Sequence, residues 1–537
     1  LEMDLPARHI LGTGERFDAV DQQGRGSYGR VVEKFTNQGE MAYIPIPFFM
    51  TETGLGWYRE GGISTEMRFE EPVTLTQRTE STLLSQDRLL FGAPSEVLRA
   101  YLNLTGRPVL PPEWAFGVWI SGNGWKDDAE VNTQLKALRD YDYPASVMVL
   151  EQWSDEQTFY RWHEEHFPNP KQTVKAIRDA GLRLLLWQIP VLKHDDEHPH
   201  AAVHDADIAE AIQKGFVIRR ADGSPYRIND RWFAKSLLPD FTNPEACAWW
   251  FEKRKYLLEM GVEGFKTDGG EFLFEEDARL HNGMSGLEAH NLYPGQYIAA
   301  YWDFLLDNGV KGLTFSRAGY AGAQAQPAHW AGDQVSTFSE LQAQLKAGIS
   351  AGLSGILFWG FDIGGFAGPI PDAELYLRAT ALACFSPIMQ WHAEPRGGQY
   401  GGMKEENNDR SPWNLAERLN DPQVLSLGVQ YAKLRESLRP YLWQEARYCV
   451  KEGRPLMAHL CLDFPEDQNA WQVDDQFMLG RELLVAPIVE AGKTSRPVYL
   501  PRGTWRNYFT KEQFSGEQTI RVTALLDTIP VFKKVEQ

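Results

Sequence analysis

The rhythm of hydrophobic and polar positions changes twice along the chain. Up to about residue 95, segments such as MAYIPIPFFM (41–50) and VTLTQRTESTLL (73–84) alternate apolar and polar residues between glycine-rich turns. A period of two suits strands, so this part predicts β-structure. PSEVLRAYL (94–102) then shows helical spacing and leads into the proline-rich GRPVLPPEW (106–114), which predicts a boundary. From Trp114 onward come eight short apolar or aromatic runs: WAFGVWI, ASVMVLEQW, LRLLLWQIP, VEGFKTD, GLTFSRAG, AHWAGD, GILFWGFD and SPIMQWH. Between most of them lie helical patterns such as PKQTVKAIRDAG and SELQAQLKAGISAG. Eight strands alternating with helices predict a (β/α)8 TIM barrel with insertions, an α/β fold. A doubly wound sheet would need a glycine-rich dinucleotide turn after its first strand, and SGNGWKDD (121–128) is a poor version of one. After about residue 435 short strands return, as in GRELLVAPIVE and SRPVYLPRGTW. The expected organisation is an N-terminal β-sandwich over 1–105, the barrel over 106–435 and a C-terminal β-sandwich domain over 436–537.

Composition narrows the function classes. A chain of 537 residues is too long for one core, and its net charge of −19 opposes a nucleic-acid partner, which needs clustered Lys and Arg. No apolar run is long enough for a membrane span, and the start LEMDLPARHI lacks a basic region followed by an apolar one. The expectation is a soluble, cytoplasmic chain with no membrane partner; secretion stays open because a removed signal leaves no trace, and a homo-oligomer stays open too. Cys247, Cys384, Cys449 and Cys461 are scattered among apolar neighbours and read as buried thiols. KHDDEHPHAAVHDAD (193–207) packs four His among carboxylates, but its spacing fits no zinc pattern. It reads as a solvated acidic loop, so neither a metal nor a cofactor is expected. The 18 Trp, 20 Tyr and 28 Phe often sit beside carboxylates or glycines, which suits sugar faces as well as it suits a core.

Barrel enzymes work at the carboxyl ends of their strands, so polar residues ending the apolar runs need a reason. Those ends read Glu151, Gln188, Asp268, Arg317, Asp333, Asp362 and His392. Any one of them could cap a helix or pair with an arginine. Together they indicate a site, and Asp268 and Asp333, on the fourth and sixth strands, could face each other across the mouth as glycosidic bond cleavage requires.

FKTDGGE, FSRAGYAGAQAQPAHWAGDQ, FWGFDIGGF and PIMQWH resemble successive signature blocks of glycoside hydrolase family 31, the α-glucosidase and α-xylosidase family. GTGERFD (12–18), LTGRPVLPPEWAFG (104–117) and LLVAPIVEAG (483–492) resemble its flanking blocks, so the likeness covers nearly the whole chain. The resemblance implies a retaining, exo-acting α-glycosidase with a carbohydrate substrate. Asp268 matches the nucleophile, and Asp333 matches the general acid/base. Lys266, Arg317 and His392 match sugar-contacting positions, and Trp187 and Trp330 are candidate pocket walls, with core packing an almost equally good account of both rings. Glu271 and Asp362 are expected to orient the others, and the glycines of DGG to keep bulk away from Asp268.

Three departures from the family pattern bear on specificity. Where α-glucosidases carry Asp-x-Asp after the second strand, for the C4 hydroxyl and the C6 arm, this chain has Glu151, Gln152 and Trp153. An aromatic there resembles family α-xylosidases. EQWS and LHNGMSGLEAHN (280–291) resemble the sulfoquinovosidase branch, yet the following segment is shorter and offers only Arg161-Trp162 for a sulfonate, which disfavours a sulfonated sugar. Phe361 stands where many members have His, removing one polar contact. Third, GTGERFD falls early, so the sandwich is either shortened or lacks its first strands. Terminal glucose, xylose and galactose stay open. So does a transglycosidase that uses the same residues, whereas the two aspartates argue against a non-catalytic carbohydrate-binding protein.

Overall fold

The structure is a computed structural model and describes residues 2, 3, 5, 7–70, 73–77, 86–196, 200–229, 232–398, 403 and 407–535. All eight runs become barrel strands: Val118–Gly122, Val147–Leu150, Arg183–Gln188, Gly264–Thr267, Leu313–Ser316, Ala328–Trp330, Trp359–Gly360 and Met389–Ala393. Each pairs in parallel with its sequence neighbour, and the eighth pairs with the first. The seventh and eighth meet through a parallel bridge between Asp362 and Gln390, which closes the ring. The strands are buried on both faces, which explains why they read as continuous apolar runs rather than as alternation.

Helices fill the connections where the sequence supplies start and stop signals. Asp127, Asn169, Asn243, Thr337 and Asp372 each accept a backbone N–H in the first turn of the following helix, and Pro170 and Pro244 occupy positions where a missing N–H costs nothing. Gly215, Gly261 and Gly453 end their helices in the left-handed region.

Among the described residues the N-terminal region forms two four-stranded sheets, a sandwich whose GTGERFD block docks it on the barrel. Gly14 and Arg16 donate backbone N–H groups to the hydroxyls of Ser354 and Ser350, on and just after helix Phe338–Leu353. Glu15 accepts from the Trp359 indole at 2.7 Å. Burial pushes the Glu15 carboxyl up to about 8, with the Trp359 N–H and Arg16 offsetting part of the shift. The C-terminal region is a six-stranded sheet with a two-stranded one. Its first strand begins at Met457, later than the return of strands expected near residue 435, because helix Pro422–Glu452 runs through that point. Val424, Gly428, Tyr431, Arg435, Leu438, Leu442, Glu445 and Cys449 give that helix a buried, mostly apolar stripe at three- and four-residue spacing.

Arg435 anchors the helix to the floor of the barrel. Fully buried, it donates to the carbonyls of Phe116 (2.7 Å), Cys384 (3.0 Å), Ser386 (2.5 Å) and Pro387 (2.6 Å). Arg435→Met leaves four buried carbonyls without their donor, and should cost about 3 kcal/mol or more. A lowered urea midpoint checks this; an unchanged one would mean that other contacts dock the helix.

Candidate active site

Barrel register decides which side chains share the interior. In neighbouring strands Lys266 pairs with Trp187 and Phe315, Trp330 with Gly360, and His392 with Ser121. Counting in twos from these positions, Glu151, Trp187, Lys266, Asp268, Arg317, Trp330, Asp362 and His392 all fall on the inward parity. The strand ends that carry chemistry are therefore brought together at one mouth. Beneath them Trp119, Phe315 and Trp330 pack at tilted angles into an aromatic floor, and Lys266 Nζ lies 4.6 Å from the Trp330 ring centroid.

Two charged knots sit on that floor. In the first, Arg317 grips Glu271 through Nε (3.0 Å) and a terminal nitrogen (3.2 Å), and its other terminal nitrogen lies 3.3 Å from Asp268 Oδ1. Burial alone would pull this guanidinium down, but Asp268 and Glu271 outweigh it and hold it well above its usual value. Tyr43, from the sandwich, and Trp232 lie 4.9 and 5.2 Å from the guanidinium. Asp268 also accepts the Trp187 indole N–H at 2.9 Å and the backbone N–H of Gly269 at 2.7 Å.

In the second knot Glu151 Oε1 takes Lys266 at 2.5 Å and His392 Nε2 at 2.7 Å. Burial favours the neutral acid, yet Lys266 and His392 together outweigh it and lower the Glu151 carboxyl below its usual range. Asp362, fully buried, accepts from Gln390 at 2.6 Å. Asp333 lies partly exposed in the cavity wall. Burial raises its carboxyl most; Asp268 and Asp362 push the same way, Arg317 and Lys266 oppose, and the result is about 7.

Several expected positions change meaning. Trp153 is fully buried; its indole donates to the Trp187 carbonyl at 3.1 Å and packs edge-on against Trp162, so it does not enter the cavity, whereas Gln152 does. Trp330 is buried beneath Lys266 as floor rather than wall. Gly269 and Gly270 have φ of 70° and 107°, and a Cβ would strike Ile189 and Phe272 at Gly269 or crowd Pro294 at Gly270. The pair serves the turn and its packing rather than space above Asp268. Phe361 is buried against Trp359. Arg161 is engaged by Glu164 and Asp155, and LHNGMSGLEAHN packs on the sandwich, with Asn291 accepting the Val31 N–H and donating to the Gly29 carbonyl. Residues 197–199 of the histidine-rich stretch lie outside the described residues; His194 and His200 pair with Asp196 and Asp205. Among the described residues no cluster suits a metal ion, and no helix is long and apolar enough to cross a membrane.

The cavity above the knots measures about 830 Å³. Its walls include residues that sequence reasoning missed: Glu33 and Phe35 from the sandwich, Trp232 from the loop after the third strand, and Phe366, Glu394 and Arg396 near the eighth. Phe366 carried a signal, since it ends the FWGFDIGGF block; Glu33, Phe35 and Trp232 carried none, because their approach is purely tertiary.

A (β/α)8 barrel with clustered carboxylates at an open mouth is an architecture suited to glycosidic bond chemistry. The sequence matches the glycosyl hydrolases family 31 TIM-barrel domain over residues 108–445 and the family 31 C-terminal domain over residues 453–537, and the chain belongs to that family. An isomaltosyltransferase from Sporosarcina globispora is 35% identical, with 98% of this chain and 50% of that protein covered. A 1,3-alpha-isomaltosidase from Kribbella flavida is 36% identical, covering 97% of this chain and 75% of that protein. A solved cycloalternan-degrading enzyme from Trueperella pyogenes, in complex with a covalent intermediate, superposes with a TM-score of 0.93 at 36% identity, over 98% of this chain and 76% of that one. The chain thus spans half to three quarters of the length of these proteins.

Asp333 couples the site to stability. Its carboxyl stands at about 7 when folded, against about 4 in an unfolded chain. Stability is therefore complete while both states hold the proton and is lost as pH rises through the folded value. Asp333→Asn removes this dependence, so the melting temperature of the variant relative to the parent should be flat at acid pH and climb between pH 4 and 7. Scanning calorimetry across that range checks it, and a pH-independent difference would contradict the assignment.

Proposed function

We propose that this protein is a retaining, exo-acting α-glycosidase that removes terminal α-glucosyl or isomaltosyl-type units through a covalent glycosyl-aspartate. The observation that carries the reading is the opposite treatment of two carboxylates in one cage. Asp268 is surrounded by donors, namely Arg317, the Trp187 indole and the Gly269 N–H, which fix the orientation of its carboxyl oxygens. Asp333, raised to about 7, keeps a proton for the leaving oxygen near neutrality. In the first step an Asp268 oxygen bonds to the anomeric carbon while the glycosidic oxygen departs with the Asp333 proton. In the second, Asp333 takes a proton from water, whose oxygen displaces Asp268 and restores the α configuration.

Glu151, clamped by Lys266 and His392, is positioned to accept a hydroxyl of the terminal sugar. The xyloside reading rested on Trp153 filling the C6 space, and a buried Trp153 withdraws that support. A mouth without a C6-binding carboxylate suits a donor that continues through its C6 oxygen, in keeping with the isomaltose-related names of the relatives. A galactoside remains a lesser alternative, resting only on the changed carboxylate at 151. A sulfonated sugar is not proposed, since Arg161 is already paired and no other cation replaces it on that segment.

Transfer to a sugar instead of water is the second reading, favoured by the named isomaltosyltransferase and by a cavity larger than one pyranose ring fills. Asp268→Ala should lower kcat/KM on an aryl α-glucoside by roughly a thousandfold or more. Asp333→Ala should regain turnover with azide and release an α-glycosyl azide; near-normal activity of either variant would sink the mechanism. In the parent, kcat/KM should fall above about pH 7 as Asp333 loses its proton. Product analysis at high donor concentration separates the two readings: free sugar marks the hydrolase, and longer oligosaccharides mark the transferase.

A further inference from the structure

A second cavity of about 510 Å³ adjoins the first and shares Gly124, Glu130, Pro395 and Asn407 with it. It lies between helix Asp128–Asp140, which follows the first barrel strand, and helix Pro412–Arg418, which follows the eighth. From Glu130 in the first turn to Tyr141 at the carboxyl end, the groove follows about 16 Å of helix away from the mouth. A ligand anchored in the mouth could therefore continue into it without leaving the protein surface.

The lining has the chemistry of a sugar site. Trp413 is half-buried, and Tyr141, 42% exposed, lies nearly parallel to it with ring centroids 6.0 Å apart and planes 17° from each other. These rings offer an apolar face at the far end of the groove. Thr133, Gln134, Asn407 and Asn414 supply hydroxyl and amide groups along it. Gln134 is only 4% exposed and lines the cavity, and its Oε1 is covered with no hydrogen-bond partner among the described residues. The charges are mostly acidic: Glu130, Asp140, Asp409 and Glu417 face one lysine, Lys136, which is already paired with Asp140. Such walls repel phosphate or acidic polymers and leave a neutral polyhydroxyl ligand as the fitting class.

We propose that this groove binds the outer glucosyl units of a neutral α-glucan oligosaccharide whose non-reducing end occupies the catalytic cavity, an inference that rests on the glycosidase reading above. Sugar rings stack on the Tyr141–Trp413 pair, so chain length beyond the cleaved unit is read here.

The test compares the parent with Tyr141→Ala, which removes an exposed ring, and with Thr133→Trp, which fills the groove from an exposed helix position. Both are assayed on 4-nitrophenyl α-glucoside and on an α-linked glucohexasaccharide. The expected result is unchanged kcat/KM on the aryl glucoside, with KM for the hexasaccharide raised about tenfold at nearly constant kcat. Equal effects on both substrates, or none on the hexasaccharide, would overturn the proposal. Calorimetric titration of Asp268→Ala with the hexasaccharide, with and without Tyr141→Ala, reads binding apart from turnover. If no α-glucoside is turned over by the parent, the glycosidase reading fails, and the calorimetric difference alone decides the groove: a weakened hexasaccharide affinity supports it, and an unchanged one rejects it.

Discussion

The site hangs on one buried cation. Arg317, 2% exposed, holds Glu271 with two hydrogen bonds and Asp268 at 3.3 Å, and so offsets part of the cost of burying two carboxyl groups side by side. Glu271 fixes the guanidinium from below, Tyr43 and Trp232 flank it, and only one terminal nitrogen remains for Asp268. The geometry of DGGE follows from this requirement. Asp268 and Glu271 must reach the same arginine from positions three apart, which takes a turn through φ of 70° and 107° at Gly269 and Gly270. Arg317 touches Asp268 directly, while Asp333, raised chiefly by its own burial, receives only the more distant field of the arginine together with the repulsion of Asp268 and Asp362.

The second knot obeys the same logic with the signs reversed. Glu151 neutralises Lys266 and supports a charged His392, and the aromatic floor beneath them keeps water from relaxing either interaction. Glu151 takes both partners on one carboxylate oxygen from the end of the second strand. Position 151 points inward, whereas Trp153 turns away once the strand has ended and no longer follows the two-residue alternation.

What could be read from sequence was whatever the barrel's parity controls. Strands buried on both faces announce themselves as apolar runs, and an ionisable residue ending such a run on the inward parity can only be at the mouth, so Asp268, Arg317 and His392 were legible. Trp153 and the two glycines changed meaning for one shared reason: their roles depend on where the chain goes after the strand, and that leaves no local pattern. Tyr43, Glu33 and Phe35 reach the site from the sandwich through docking by GTGERFD, a contact between segments more than 300 residues apart. The helix across residue 435 was missed because its apolar stripe is spread over 31 residues that also contain an internal proline, Pro440.

Bond cleavage and substrate choice are built from different parts of this chain, and that division explains how relatives named as a transferase and as hydrolases can share a barrel at similar identity. The cage around Asp268 and Asp333 is drawn from strand ends fixed by register, where a shift of one residue would turn every charge outward. The walls of the cavity come instead from the sandwich, the loop after the third strand and the segment following the eighth, none of which the barrel's hydrogen bonding constrains. On the mechanism proposed above, water and a sugar hydroxyl would reach the same glycosyl-enzyme through those walls, and the competition between them would be set by how long an acceptor dwells there. A rigid cage beneath adaptable walls therefore lets acceptor preference change without disturbing the charge balance that makes the chemistry possible.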